Sequence, residues 1–131
     1  MVNSSSSKYK NFLFYWLPII LYCFLIFIQS SYPSFDELPD LRHLDKLLHF
    51  IGYAFLGALF FRAFRTLRIQ NNLKLTIILS ILSSSLYGIG DEIHQHYVPF
   101  RNADVMDGLV DIAGSVFGVF VYQISAVKYR A

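Results

Sequence analysis

Residues 73–101 read LKLTIILSILSSSLYGIGDEIHQHYVPFR. An apolar run from Leu73 to about Ile89 passes straight into a dense patch of acids and histidines, and nothing breaks a helix until Pro99. Ser80, Ser83, Ser84, Tyr87, Gly88, Asp91, Glu92 and Gln95 recur at spacings of three and four, so at about 100° per residue they form a single stripe. A polar stripe on a lipid-embedded helix faces other helices rather than acyl chains, which turns Glu92 and Gln95 inward. Read structurally, the serines are small residues that let helices approach closely.

Outward from this segment the chain repeats the alternation. Four apolar runs are separated by short polar stretches. All nine carboxylates and all four histidines fall between the first and second runs or between the third and fourth. Lys8, Lys10, Arg62, Arg65, Arg68, Lys74, Lys128 and Arg130, eight of the eleven basic residues, take the other side. That sorting predicts a polytopic membrane protein with both termini in the cytoplasm and the acidic patch outside. With 131 residues, 55% hydrophobic and only 15% charged, the chain holds more apolar surface than one small core could hide. The net charge of +2 is spread over separate segments and forms no continuous basic patch, so no nucleic-acid partner is expected. Cys23, the single cysteine, lies inside an apolar run and cannot form an internal disulfide.

The first run, Phe12 to Ile28, contains Pro18, which removes a helix hydrogen bond and predicts a bend. Lys8 and Lys10 before it resemble a signal-peptide start, but the run is long and no A-x-A site follows, so an uncleaved anchor is expected. Ser4 to Ser7 reads as a short disordered tail within a cytoplasmic segment over residues 1–11. Pro39-Asp40 reads as the start of the second helix, with Asp40 as its N-cap and an end near Phe64. Gln70-Asn71-Asn72 marks the turn into the third helix. The fourth helix is expected from Ala103 or Asp104 to about Ala126, with a second short tail at 128–131. Tyr9, Trp16, Tyr32, Tyr97, Tyr122 and Tyr129 fall near the boundaries, as interfacial aromatics do; Tyr53 and Tyr87 lie deeper.

Three constellations carry chemistry. Asp45, His49 and Tyr53, spaced four apart, stack along one face of the second helix. The structural reading of His49 is a hydrogen bond to Asp45 that anchors the bundle. Asp91-Glu92-Ile93-His94-Gln95 continues the third span, and a carboxylate there is costly unless it has a use. Arg101, Asp104, Asp107 and Asp111 follow; Arg101 is the natural bidentate partner of Glu92 or Asp107. Asp111, a full turn deeper than Asp107, needs a proton or a partner such as His49 or Tyr53. It shares its face with Gly114-x3-Gly118, a close-packing pair. The set offers oxygen and imidazole ligands to a divalent cation, or a carboxylate for acid/base work, or a hydrogen-bond network. No HExxH, GxSxG, Walker A, paired CxxC or Gly-rich dinucleotide loop is present.

These residues also resemble a known family. Asp45-x3-His49-x3-Tyr53, the segment from Asp91 through Gln95 and Pro99 to Arg101, and Asp107-x3-Asp111-x2-Gly114-x3-Gly118 are similar to the VanZ-like family of small bacterial membrane proteins, over residues 12 to 127. Family members often carry glycine after the proline, where this chain has Phe100, and many carry asparagine in place of Asp111. The resemblance implies a four-helix protein of the bacterial cytoplasmic membrane, acting at the cell envelope. It carries over Asp45, His49, Glu92, Gln95, Arg101, Asp107 and Asp111 as polar positions. The family takes its name from a protein linked to low-level teicoplanin resistance.

The sequence therefore predicts an all-α bundle of four transmembrane helices, with a polar pocket built from Asp45, His49, Tyr53, Asp91, Glu92, Gln95, Arg101, Asp107 and Asp111. The leading expectation is a non-enzymatic envelope protein in which Arg101 meets an anionic group, and the carboxylates a cationic one, of a lipid-linked precursor or a glycopeptide. A second is an enzyme on a lipid-linked headgroup, with His49 or Glu92 as acid/base and Asp91, Asp107 and Asp111 holding a divalent metal. A third is a structural or transport subunit whose polar seam joins helices or carries protons.

Overall fold

Backbone in lipid must satisfy its own hydrogen bonds, and each apolar run does so as a helix. The computed structural model describes residues 4–33, 42–101 and 103–128. They form α1 (Ser4–Tyr15), α2 (Leu17–Ser30), α3 (Arg42–Phe64), a 3-10 turn (Arg68–Asn71), α4 (Leu73–His96) and α5 (Val105–Lys128). Four helical stretches are long and apolar enough to cross a membrane: Ser7–Ser30, His43–Phe64, Leu73–His96 and Val105–Lys128. The chain is an all-helical, multi-pass membrane protein. The expected Asp40 cap and the connection at 34–41 lie outside the described residues, as do Tyr129 and Arg130.

Two expectations for the first span change. Ser4 to Ser7, read as a disordered tail, forms the start of α1. Once the apolar residues ahead nucleate a helix, adding a residue costs little because each brings one more backbone bond. The bend expected at Pro18 falls two residues earlier, at Trp16, which separates α1 from α2. Proline lacks the N–H that would bond four residues back, and its ring crowds that carbonyl. Trp16 carries the chain across, its carbonyl accepting from the N–H groups of Ile19 (3.1 Å) and Ile20 (3.2 Å). Its ring meets Phe64, the last residue of α3, edge to face at 5.5 Å. Arg62 lies over the rings of Phe14 and Tyr15 at 4.4 and 4.8 Å, tying α1 to the same end of the bundle by cation–π attraction.

The remaining helices start where local chemistry directs. Asn72 Oδ1 accepts from Leu75 N–H at 3.0 Å and caps α4. Asp104 Oδ1 accepts from Met106 N–H at 2.9 Å and caps α5. The spans alternate up and down, so α3 and α5 run parallel and meet along their length. No side chain separates them: a Cβ on Gly114 would strike the carbonyl of Phe50, one on Gly118 the carbonyl of Ala54, and one on Gly57 would lie 2.7 Å from the carbonyl of Ser115. The close-packing role read for Gly114-x3-Gly118 is therefore the contact that joins these two helices. The stripe on α4 also lies inside, with Thr76, Ser80, Ser84, Gly88, Asp91 and Gln95 buried. Ser115 Oγ donates to Ser84 Oγ at 2.7 Å across α5 and α4. In lipid, such small polar contacts take the place that large apolar side chains fill in a water-soluble core. The end of α2, the start of α3, the end of α4 and the start of α5 gather at one end of the bundle. Arg62, Lys74 and Lys128 belong to the other.

Candidate functional site

The acidic end divides in two, and His49 stands on the division. On the α5 side, His49 Nδ1 and Asp111 Oδ1 share a hydrogen bond of 2.9 Å. Asp111 is fully buried. It fits between α3 and α4 because Gly88 faces it: a Cβ there would lie 3.0 Å from Asp111 Cβ and Oδ2. His49 Nε2 points the other way, 4.0 Å from Asp45 Oδ2. One turn nearer the end, Lys46 Nζ donates to Asp107 Oδ1 at 2.7 Å and Asp104 Oδ2 at 3.0 Å. Glu92 Oε2 accepts from the Asp104 N–H at 3.2 Å. Two oxygens in this group, Glu92 Oε1 and Asp111 Oδ2, are buried without a hydrogen-bond partner. His49, Glu92 and Asp111 bring ligand-type atoms within 4.8 Å of one another, and so do Asp45, His49 and Asp107.

On the other side, α3 and α4 face α2 across a cavity of about 310 Å³. Tyr22, Ile26, Gln29 and Ser30 line it from α2; Leu48, His49, Ile51, Gly52 and Tyr53 from α3; Asp91 and Gln95 from α4; and Arg101 from the loop beyond. Asp91 Oδ2 accepts from Gln95 Nε2 at 3.0 Å and from the Tyr53 hydroxyl at 3.3 Å. Arg101 Nη1 donates to the carbonyls of Tyr32 (3.1 Å) and Gln29 (3.3 Å). Thus one wall is aliphatic and aromatic, and the polar groups gather where the helices end.

A family model described as VanZ/LLP1 matches residues 4–126, nearly the whole chain. The chain belongs to the VanZ/LLP1 family. No curated protein and no solved structure matches it. In this VanZ/LLP1 protein the nine polar positions singled out from sequence all lie at one end, and five of them line the cavity between α2 and the α3–α4 pair. His49, Tyr53, Asp91, Gln95 and Arg101 line the cavity, whereas Asp45, Glu92, Asp107 and Asp111 do not. The three- and four-residue spacings place Asp91 and Glu92 on one stripe, but adjacent residues point about 100° apart. With that rotation Asp91 bonds Tyr53 of α3 and Gln95 of its own helix, and Glu92 bonds the start of α5. Among the described residues the trios whose ligand-type atoms lie within 4.8 Å of one another hold Asp107 or Asp111 but not Asp91.

The Arg101 pairing with Glu92 or Asp107 also gives way. Among the described residues Arg101 pairs with no carboxylate and bonds two carbonyls of the first span, while Lys46 takes Asp107. Lys46 was legible as a member of the site: it lies three residues from His49, hence on the same helical face, and directly follows Asp45. The α2 lining residues were less so; Gln29-Ser30 at the end of an apolar run was their only polar signal. Phe100, where many family members carry glycine, has φ 62°, in the left-handed region that glycine enters freely and other residues enter at a cost of about 1–2 kcal/mol. Its side chain is exposed.

Proposed function

We propose that this VanZ/LLP1 protein acts at the bacterial cytoplasmic membrane as a binding protein, with its acidic end on the outer side and both termini in the cytoplasm. Its cavity takes the polar head and the first apolar atoms of an amphiphile: a lipid-linked envelope precursor, or a glycopeptide that carries an acyl chain. Occupancy lowers susceptibility to teicoplanin-type drugs.

One observation carries this reading. The cavity between α2 and the α3–α4 pair has an apolar wall of Ile26, Leu48 and Ile51 beside a polar end that holds a guanidinium, Arg101. A guanidinium presents donors in a planar fork suited to a phosphate or carboxylate. Arg101 directs only Nη1 to the carbonyls described above, and its charge meets no carboxylate among the described residues. Buried Asp91 and Gln95 supply acceptor and amide groups for a sugar or peptide. The cavity also weighs against a purely structural seam, which would close around its own hydrogen bonds. The orientation rests on the sorting of basic residues to the opposite end.

The test is drug susceptibility and cell-surface drug retention in cells expressing the parent chain, Arg101→Ala, or Gln95→Leu. Protection by the parent and its loss in both variants, with membrane insertion unchanged, is the expected result. Equal protection by parent and variants removes the cavity from the function, and no protection by the parent removes the resistance role.

A further inference from the structure

We infer that His49, Glu92 and Asp111 form a binding site for one divalent first-row transition-metal cation such as Zn²⁺ or Mn²⁺. The site stands on the α5 side of the bundle, and the inference does not depend on what the cavity on the α2 side takes.

Two independent observations converge on it. The first is proximity: one helix each from α3, α4 and α5 delivers an imidazole or a carboxylate, and their ligand-type atoms lie within 4.8 Å of one another. Bonds of about 2.0–2.2 Å to a common ion would draw them in by only about 1 Å. The second is a deficit of partners. Asp111 has no solvent exposure, and its Oδ2 meets no donor; Glu92 Oε1 is likewise buried and unpartnered. A buried carboxylate oxygen is normally bonded to something. The nearest ammonium is already engaged, since Lys46 donates to both Asp104 and Asp107. The Asp104 N–H reaches Glu92 at its other oxygen, Oε2, and the bond from His49 reaches Asp111 at its other oxygen, Oδ1.

The chemistry of the set selects the ion. An imidazole with two carboxylates suits Zn²⁺, Mn²⁺ or Fe²⁺, whereas Ca²⁺ and Mg²⁺ prefer oxygen ligands alone. Nδ1 faces Asp111 and would take the metal, which exchanges the 2.9 Å hydrogen bond for two metal bonds and releases the shared proton. Nε2 faces Asp45 at 4.0 Å, so that carboxylate is placed to hold the opposite ring N–H and fix the tautomer. The neighbouring trio of Asp45, His49 and Asp107 is the weaker candidate. Asp107 Oδ1 already accepts from Lys46 at 2.7 Å, and neither Asp45 nor Asp107 has an orphaned buried oxygen. Gly88 contributes by absence: any side chain there would meet Asp111 Oδ2 and block the approach.

The test uses the full chain, stripped with chelator in nanodiscs and dialysed against Zn²⁺ or Mn²⁺ at neutral pH, with metal counted by mass spectrometry. The parent is expected to hold one equivalent, and so is the His96→Ala variant, which removes an exposed imidazole. Asp107→Asn is expected to keep the ion. His49→Ala and Asp111→Asn lose it, Glu92→Gln weakens it at least tenfold, and Asp45→Asn weakens it about 10–100-fold. Metal also raises the parent's thermal midpoint and leaves that of Asp111→Asn unchanged. Should Asp111→Asn not fold, Glu92→Gln serves in its place, because Glu92 is only half-buried. A parent that takes no metal overturns the proposal. So does full retention in Glu92→Gln, or loss in His96→Ala, which marks an adventitious surface ion only.

Discussion

The α3–α5 seam and the α2 flank are built by opposite means. Along the seam, glycines bring backbone onto backbone, and an 18-residue apolar stretch of the second span is 39% buried. The corresponding stretch of the first span is 6% buried. It is held at discrete points: the Tyr87 hydroxyl donates to the Cys23 carbonyl at 2.6 Å, Tyr22 donates to the Gly52 carbonyl at 3.1 Å, and Arg101 reaches the last turn. Dispersion contacts accumulate only where surfaces touch continuously, so α3, α4 and α5 form the stable body and α2 a helix laid against it. The two halves of the polar end inherit this difference. The acid cluster stands on the rigid seam, where spacing is fixed, as a metal site requires. The cavity stands beside the lightly held helix, where the proposed amphiphile would enter.

The sharpest way to break this contrast is His49→Ala in metal-free protein. It removes the only hydrogen-bond partner of the Asp111 side chain among the described residues, and breaking a buried pair in this way costs about 3–5 kcal/mol. Unfolding in mild detergent followed by circular dichroism is expected to show it, and an unchanged midpoint would mean that Asp111 needs no partner. Next comes Gly118→Ala. Its Cβ overlaps the Ala54 carbonyl, so α5 must withdraw from α3, at a cost towards the top of about 1–3 kcal/mol. A variant as stable as the parent would show that the seam is looser than its geometry. The smallest effect is expected on the flank. Tyr87→Phe removes one hydrogen bond worth about 0.5–1.5 kcal/mol and should speed maleimide labelling of Cys23 while leaving the α3–α5 body intact. Equal losses for Gly118→Ala and Tyr87→Phe would erase the distinction between the two regions.

Much of this was legible in the order of residues. Apolar length gave the four spans, because lipid admits only closed hydrogen-bonded helices. Three- and four-residue spacing gave the buried faces of α4 and α5 and brought His49 to Asp111. What the spacing could not supply was rotation between neighbours and partner choice across helices. Asp91 and Glu92 read as one acidic patch but, about 100° apart on α4, bond different partners. Arg101 read as a partner for carboxylates because charge suggests charge. It lies instead within reach of the last turn of α2, whose final carbonyls lack partners within their own helix. The contribution of α2 to the cavity depends on how one nearly featureless apolar helix leans, and a run without polar periodicity carries no record of that.

The bonds from Tyr87 and Arg101 to α2 and the residues just after it end on main-chain oxygens, at Cys23, Gln29 and Tyr32. Every amino acid supplies that acceptor, so these attachments, unlike that of the Tyr22 hydroxyl, do not depend on which residue accepts them. It follows that Cys23→Ala gives a cysteine-free background, on which single thiols can be placed anywhere along the chain to map which face of the bilayer each loop meets.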